Sequence, residues 1–172
     1  MKNNINWNFD NTYSRLSDAF KEHIKPIAVK NPELVLINEN LVEELNLDFS
    51  KIDKNELAAL FTGNILPEGS NAIAQAYAGH QFGHFTMLGD GRAVLIGEHL
   101  TKNNERYDIQ FKGSGKTAFS RNGDGRAALG PMLREYIISE AMHHLNIPST
   151  RSLAVAKTGE EIMRETPLQG AI

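Results

Sequence analysis

The chain has 172 residues, of which 41% are hydrophobic and 23% charged, values typical of soluble globular proteins. This length suits one domain or one large lobe of a longer protein. The formal net charge of −3 disfavours a nucleic-acid partner, and the lack of cysteine excludes disulfides and thiolate metal sites. No apolar run is long enough to span a bilayer, and the Asn-rich start lacks the features of a secretory signal. We therefore expect a cytoplasmic protein that contacts neither nucleic acid nor membrane.

The first part of the chain carries the signals of short helices. Apolar and aromatic residues recur at helical spacing before a proline, at Tyr13, Leu16, Phe20 and Ile24. A second helix is predicted where Asn40 is followed by Glu43, and a third where Asp53 and Glu56 stand at capping-box spacing. Gly63 is a natural end for the third. We expect residues 1–69 to form a helical N-terminal extension with a structural role.

Strand signals begin near Leu88. A Gly-Asp-Gly turn at 89–91 leads into the apolar run 93–96, and a second strand alternates apolar and polar residues as far as Lys112. The pattern implies two adjacent antiparallel strands, with Lys112 at the far end of the second.

One longer helix is predicted over residues 132–145, because Pro131 suits the first position of a helix. Short strands are expected after it, over 152–156 and 160–163. Residues 70–172 are therefore predicted to form an α+β unit, a small antiparallel sheet with one packed helix.

Glycine and basic residues are concentrated between Leu88 and Arg126. Backbone N–H groups approach phosphate oxygens most closely where glycine leaves no Cβ in the way, and lysine acts on phosphate as a compact point charge. The segment predicts a phosphate site that draws on Gly89, Gly91, Arg92, Lys112, Lys116, Arg121, Asp124, Gly125 and Arg126. Two simpler interpretations stay open. The turn at 89–92 taken alone is ordinary hairpin chemistry, and Lys112 lies on the polar face of its strand, where it could be solvated.

The segment that begins at Gly115 has the Gly-Lys-Thr sequence found in P-loops. A P-loop also needs a glycine five residues earlier, where this chain has Gln110. The residues after Thr117 do not have the pattern of a helix start either. We therefore reject a P-loop.

His80 and His84 stand four residues apart, a spacing that would place two imidazoles on one face of a helix for a metal ion. Gly79 and Gly83 weaken a helix there, and no third ligand is evident. Structural packing is the preferred interpretation of both histidines.

Two glutamates of the predicted helix are candidates to pair with Lys112. Helical periodicity places Glu140 inside the apolar arc of the helix and Glu135 just outside its edge. A buried glutamate needs a cation. Periodicity thus slightly prefers Glu140 for the inward position without settling the choice.

Several ordered motifs are similar to the selenoprotein O family, called YdiU in bacteria. In chain order they occupy 76–84, 88–92, 110–115, 119–126, 133–136, 139–142 and 147–151. The similarity is strong from about Ser70 onward and looser before it. It implies a protein-kinase-like fold in which residues 70–172 are the nucleotide-binding N-terminal lobe. It also implies transfer of AMP from ATP to hydroxyl side chains of protein substrates, with the nucleotide flipped relative to ordinary kinases.

The resemblance assigns roles to individual residues. Nucleotide contacts fall on Gly89, Gly91, Arg92, Lys112, Asp124 and Gly125. Glu135 matches the helix glutamate that pairs with the strand lysine, so the resemblance selects Glu135 where periodicity favoured Glu140. Lys116 and Ala118 differ from the arginine and proline expected from the family.

The family continues beyond the position of Ile172 into further nucleotide-binding arginines, a catalytic aspartate and the ligands of Mg²⁺. The resemblance therefore implies an ATP-binding portion with no catalytic residue or metal ligand of its own, inactive without its C-terminal lobe. An exposed apolar surface is expected where that lobe would pack. A non-catalytic, pseudokinase-like nucleotide-binding module and a purely structural domain are the alternatives.

Overall fold

The chain folds into two small antiparallel sheets and three α-helices in a computed structural model that describes residues 5–172. The first sheet contains, in spatial order, β1 (Lys21–His23), β3 (Ile73–Gln81), β5 (Ala93–Leu100) and β6 (Arg106–Lys112), and β4 (His84–Gly89) pairs with β3. The second sheet contains β2 (Glu33–Ile37), β8 (Ala154–Met163), β9 (Pro167–Ala171) and β7 (Ala127–Ala128). The helices are α1 (Glu39–Glu44), α2 (Lys54–Phe61) and α3 (Leu129–His144). The predicted α+β class is confirmed.

Two of these three helices begin with a side-chain cap, and the third does not. The Asp53 carboxylate caps α2 by accepting hydrogen bonds from the backbone N–H groups of Asn55 and Glu56, at 2.8 and 3.0 Å. The side-chain oxygen of Asn38 caps α1 by accepting one hydrogen bond, from the Leu41 backbone N–H at 3.1 Å. The helix predicted over 132–145 begins earlier, at Leu129, so that Pro131 lies in its first turn, where no intrahelical N–H donor is required.

The helix predicted through Tyr13 and Ile24 is wrong. Two 3₁₀ turns and strand β1 occupy this segment, while Leu16 and Phe20 stay about half exposed. The buried carboxylate of Glu98 accepts hydrogen bonds from Thr12 Oγ1 and from the Tyr13 backbone N–H, at 2.5 and 2.6 Å. These contacts and the pairing of β1 with β3 compete successfully with a local helix that would bury little apolar surface.

Residues 5–69, predicted to be helical, are mixed in structure, because β1 and β2 both lie among them. β1 pairs with β3 of the first sheet, and β2 pairs with β8 of the second. The hydrophobic core also contains residues from both parts of the chain, because Leu45 and Phe61 belong to one buried cluster with Ala156.

Strand β8 replaces the two short strands predicted at 152–156 and 160–163. Gly159 has a φ of +69°, and the pairing register with β9 shifts between Lys157 and Glu161. The Thr158–Gly159 dipeptide is therefore an irregularity inside one long strand rather than a turn between two.

Helix α3 packs on the second sheet. Met132 is buried against Val155 and Ala171, with Leu133 and Tyr136 at the margin of the same cluster. Within residues 5–172, no helix is both long and apolar enough to cross a membrane.

Candidate functional site

The turn that joins β4 to β5, residues 89–92, is held against the loop 113–126. Thr117 Oγ1 donates to the Asp90 carbonyl oxygen at 2.6 Å, and Ser120 Oγ donates to the Gly91 carbonyl oxygen at 2.5 Å. A Cβ on Gly91 would lie 2.8 Å from the carbonyl oxygen of Phe119. Glycine at 91 therefore permits this close packing, a requirement that exists without any ligand.

The Asp90 side chain braces the same turn from inside. Its Oδ2 accepts hydrogen bonds from the Gln75 backbone N–H at 3.1 Å and from Gln110 Nε2 at 3.3 Å. Burial raises the pKa of Asp90 above its ordinary value, and the two hydrogen bonds offset only part of this effect. The Asp90 carboxylate thus stabilises the turn through hydrogen bonds to Gln75 and Gln110.

A cleft of about 690 Å³ opens between this turn, the β3–β4 hairpin and the loop 119–126. Its volume falls in the range of small-molecule sites. Five of the six residues predicted to contact nucleotide line it: Gly89, Gly91, Arg92, Asp124 and Gly125. The hairpin contributes Tyr77, Gln81 and Leu88 to the lining. The cleft therefore gathers side chains that lie as far apart in sequence as Tyr77 and Arg164.

The charge of the cleft is predominantly positive. Its charged lining residues are Arg92, Arg121, Asp124, Arg126 and Arg164. Arg126 Nη2 lies 3.3 Å from Glu160 Oε2, and Arg164 pairs with Asp124. Within residues 5–172, Arg92 and Arg121 form no ion pair, so that two positive charges of the cleft are uncompensated by carboxylates. This balance favours an anionic ligand.

Lys112 lies at the end of β6, opposite Ala93 and thus next to Arg92. Its Nζ is 2.6 Å from Oε1 and 2.7 Å from Oε2 of Glu135, which links the first sheet to α3. Both side chains are partly exposed, at 38% and 48%. Lys112 does not line the cleft itself.

Glu140, the alternative partner for Lys112, pairs with Arg151. Its two carboxylate oxygens accept hydrogen bonds from Arg151 Nε and Nη2, at 2.6 and 2.8 Å. This hydrogen-bonded arginine lowers the pKa of Glu140 below its ordinary value. Arg151 also reaches Glu44 of α1 at 3.1 Å, so the cluster joins two helices.

Gly125 is required by the backbone of the loop. It has a φ of +70°, and a Cβ there would lie 2.0 Å from the carbonyl oxygen of Gly115. The Gly115 N–H donates to the Gly125 carbonyl oxygen at 3.0 Å, which closes the base of the loop. After Lys116, which is exposed, the chain continues as a loop to β7 and not as a helix. This course differs from that of a P-loop.

Arg164 and Met163 line the cleft, and sequence reasoning missed both. Arg164 lies in the turn between β8 and β9, and its guanidinium contacts Asp124 with Nη1–Oδ2 at 2.7 Å and Nη2–Oδ1 at 3.1 Å. This hydrogen-bonded arginine lowers the pKa of Asp124 below its ordinary value. Forty residues separate the pair along the chain, and no local pattern marks it.

His80 and His84 lie on neighbouring strands of the β3–β4 hairpin, where His80 is opposite Phe85 and His84 is opposite Gln81. Successive residues of a strand point to opposite faces, so the two imidazoles lie on different faces of the hairpin. The helical metal-binding arrangement considered from their spacing is therefore wrong. The His80 ring contacts the Phe85 ring edge-to-face at 5.6 Å.

A magnesium ion does not fit the residues of the cleft. Mg²⁺ requires near-octahedral oxygen coordination, usually with carboxylates. The cleft offers the carboxylate of Asp124, which already binds Arg164. In the part of the chain that the structure describes, no three or more His, Cys, Asp or Glu side chains cluster to hold a metal ion.

The fold and the cationic cleft define an α+β domain with a site suited to a small anionic ligand, and comparison with known proteins gives the family. The chain belongs to the family described as protein adenylyltransferase SelO, whose model matches residues 3–172. It is 72% identical to the protein nucleotidyltransferase YdiU of Pelagibacter ubique (strain HTCC1062) over 168 aligned residues. These aligned residues make up 98% of this chain and 35% of that protein. The corresponding proteins of Nitrosococcus oceani and Anoxybacillus flavithermus are 66% and 63% identical, each over 98% of this chain and 34% and 35% of their own lengths. The chain thus spans about a third of the length of these relatives.

Proposed function

We propose that this chain is the ATP-binding N-terminal portion of a protein adenylyltransferase, which transfers AMP from ATP to Ser, Thr or Tyr hydroxyls of protein substrates. Family membership supports a nucleotidyltransferase. The observation that carries the nucleotide assignment is the cleft, in which the glycine turn and two uncompensated arginines meet. A triphosphate is the part of ATP that such a charge distribution favours most.

Each residue takes a role that follows from its position. Gly89 and Gly91 line the cleft without a side chain in the way, and Arg92 supplies a positive charge for the phosphates. Lys112, held by Glu135, stands at the end of β6 opposite Ala93 and supplies a further positive charge for the nucleotide. A lysine held by a helix glutamate is also the arrangement of protein kinases, and it supports a kinase-like lobe over residues 70–172 preceded by an extension over 1–69.

The chemical step requires residues from the part of the family's proteins that this chain does not span. A substrate hydroxyl oxygen forms a bond to the α-phosphorus, the bond to pyrophosphate breaks, and the hydroxyl proton passes to a general base. We place the catalytic carboxylate and the Mg²⁺ ligands in the C-terminal portion, because the cleft described above does not fit the metal. This chain alone is therefore proposed to bind ATP without turning it over.

The proposal is tested with the full-length Pelagibacter ubique relative and ATP labelled at either the α- or the γ-phosphorus. We expect protein labelling from the α-label and none from the γ-label. Alanine at the position that matches Lys112 should abolish labelling, and alanine at the position that matches the exposed Lys102 should leave it unchanged. Labelling from the γ-phosphate alone would show a kinase instead. Binding of ATP without labelling from either position would support the alternative, a non-catalytic nucleotide-binding module.

A further inference from the structure

Arg164 holds the carboxylate of Asp124 from across the cleft. Besides its two contacts to Asp124, its Nη2 donates to the carbonyl oxygen of Arg126 at 3.0 Å. Asp124 Oδ1 also accepts a hydrogen bond from the Arg126 backbone N–H at 2.9 Å. The turn between β8 and β9 is thereby joined to the segment 124–126, and all of these residues line the same cleft.

The pair has an electrostatic consequence for an anionic ligand. Asp124 is the one carboxylate among the lining residues, and its side chain is 46% exposed. An isolated carboxylate at this position would repel a polyphosphate, and the repulsion would grow with the number of phosphate charges. The hydrogen bond from Arg164 lowers the pKa of Asp124, so the negative charge is compensated by the arginine rather than removed by protonation.

We propose that Arg164 is a positioning residue of the nucleotide site, which neutralises and orients Asp124 so that the cleft accepts a polyphosphate. The inference rests on the proposed function, because it concerns the same cleft. Arg164 acts through Asp124, and its contribution is therefore greater for ligands that carry more charge.

The test compares the Kd values of AMP, ADP and ATP, measured by calorimetry, for the 172-residue chain and its Arg164→Met variant. Removing one partner of a hydrogen-bonded charge pair in a binding site weakens binding strongly, and for this partly exposed pair we expect the Kd for ATP to rise about tenfold. The rise should be smaller for ADP and smallest for AMP. Arg15→Met, which removes another exposed arginine–aspartate pair outside the cleft, should leave all three Kd values unchanged.

A second substitution separates charge compensation from a direct phosphate contact or a loss of structure. The double variant Arg164→Met with Asp124→Asn lacks the bare carboxylate and should bind ATP more tightly than Arg164→Met alone. Arg164→Lys, which keeps the charge but not the two-point contact, should fall between the parent and Arg164→Met. Equal losses for AMP, ADP and ATP, or no recovery in the double variant, would overturn the role assigned to Arg164. Failure of the unsubstituted chain to bind any of the three nucleotides would instead refute nucleotide binding by this cleft.

Discussion

At the scale of single residues, the glycines of the cleft are constrained by the protein itself. Gly91 faces the Phe119 carbonyl oxygen, and Gly125 combines a left-handed backbone with contact to Gly115. The sequence argument assigned these glycines to phosphate binding, for which small size at the backbone is also needed. The two explanations are compatible, because the lack of a side chain at these positions serves both the packing of the turn and the close approach of a ligand.

Substitution of Gly125 by alanine is expected to destabilise the fold. The positive φ costs about 1–3 kcal/mol for a residue with a side chain, and the new Cβ would have to displace the Gly115 carbonyl. We therefore expect the free energy of unfolding in urea to fall by about 2 kcal/mol or more.

Gly79→Ala is the matched control for this measurement. Gly79 lies in β3, does not have a positive φ, and has no atom within 4 Å of an added Cβ among those that the structure describes. Alanine there should be neutral or slightly stabilising. Equal effects of the two substitutions would contradict the structural reason given for Gly125.

At the scale of elements, α3 is attached by two different ion pairs. Lys112–Glu135 connects it to the first sheet, and Arg151–Glu140 connects it to the segment that follows and, through Glu44, to α1. The second pair is the more buried, with side chains 14% and 15% exposed. We therefore assign it the larger structural contribution.

Glu140→Gln should lower the stability of the chain in a pH-dependent way. Hydrogen bonding to Arg151 depresses the pKa of Glu140 below its ordinary value of 4.5 in the folded protein. The stabilisation is thus fully present above pH 4.5 and is lost as the pH falls through the lower, folded-state pKa. At pH 7 the cost of the substitution should be about 1.5–3 kcal/mol, as for hydrogen bonds to charged groups.

The measurement is urea unfolding of both proteins from pH 7 to pH 3. The difference between their free energies of unfolding should shrink steadily below pH 4.5, because protonated Glu140 and glutamine are then similar. A difference that does not depend on pH would mean that Glu140 contributes through packing rather than through its charge.

The β3–β4 hairpin is one of the elements that sequence patterns did not reveal. Its strands lack a sustained alternation of apolar and polar residues, and Phe85 and Met87 are exposed at 61% and 77%. A turn with positive φ at Phe82 and Gly83 joins them. Because no residue between 75 and 89 is buried, no period of two is imposed on this part of the hairpin, which leaves little signal in the sequence.

At the scale of the whole molecule, α3 presents an apolar surface to solvent. Ile137, Ile138 and Leu145 are 62%, 60% and 68% exposed and lie within about 100° of one another around the helix axis. An exposed apolar surface had been expected, and such surfaces mark sites of association.

We expect the 172-residue chain to associate with itself through this surface at high concentration. Ile138→Lys should shift the sedimentation coefficient measured at high concentration toward that of the monomer, because a charge is costly to bury in an apolar contact. Ile65→Lys, at an apolar residue that is 44% exposed outside α3, is the control and should not change association. A chain that sediments as a monomer at every concentration would show that the α3 surface does not self-associate.

The sequence by itself determined those helix caps, strands and helices that depend only on neighbouring residues. The cap of α2 at Asp53, strand β5, strand β6 ending at Lys112 and the body of α3 follow from side-chain hydrogen bonding, apolar runs and periodicity over a few neighbouring residues. The ordered motifs also carried the family, which the comparison confirmed.

The tertiary structure alone decided which partners meet across long distances in the chain. It paired Glu140 with Arg151, brought Arg164 to Asp124, and drew residues 21–23 into a sheet where spacing had predicted a helix. Each of these outcomes depends on the relative positions of separate elements. Ion pairs and strand edges are satisfied by whichever group the packed core brings near, and no window of sequence contains that information.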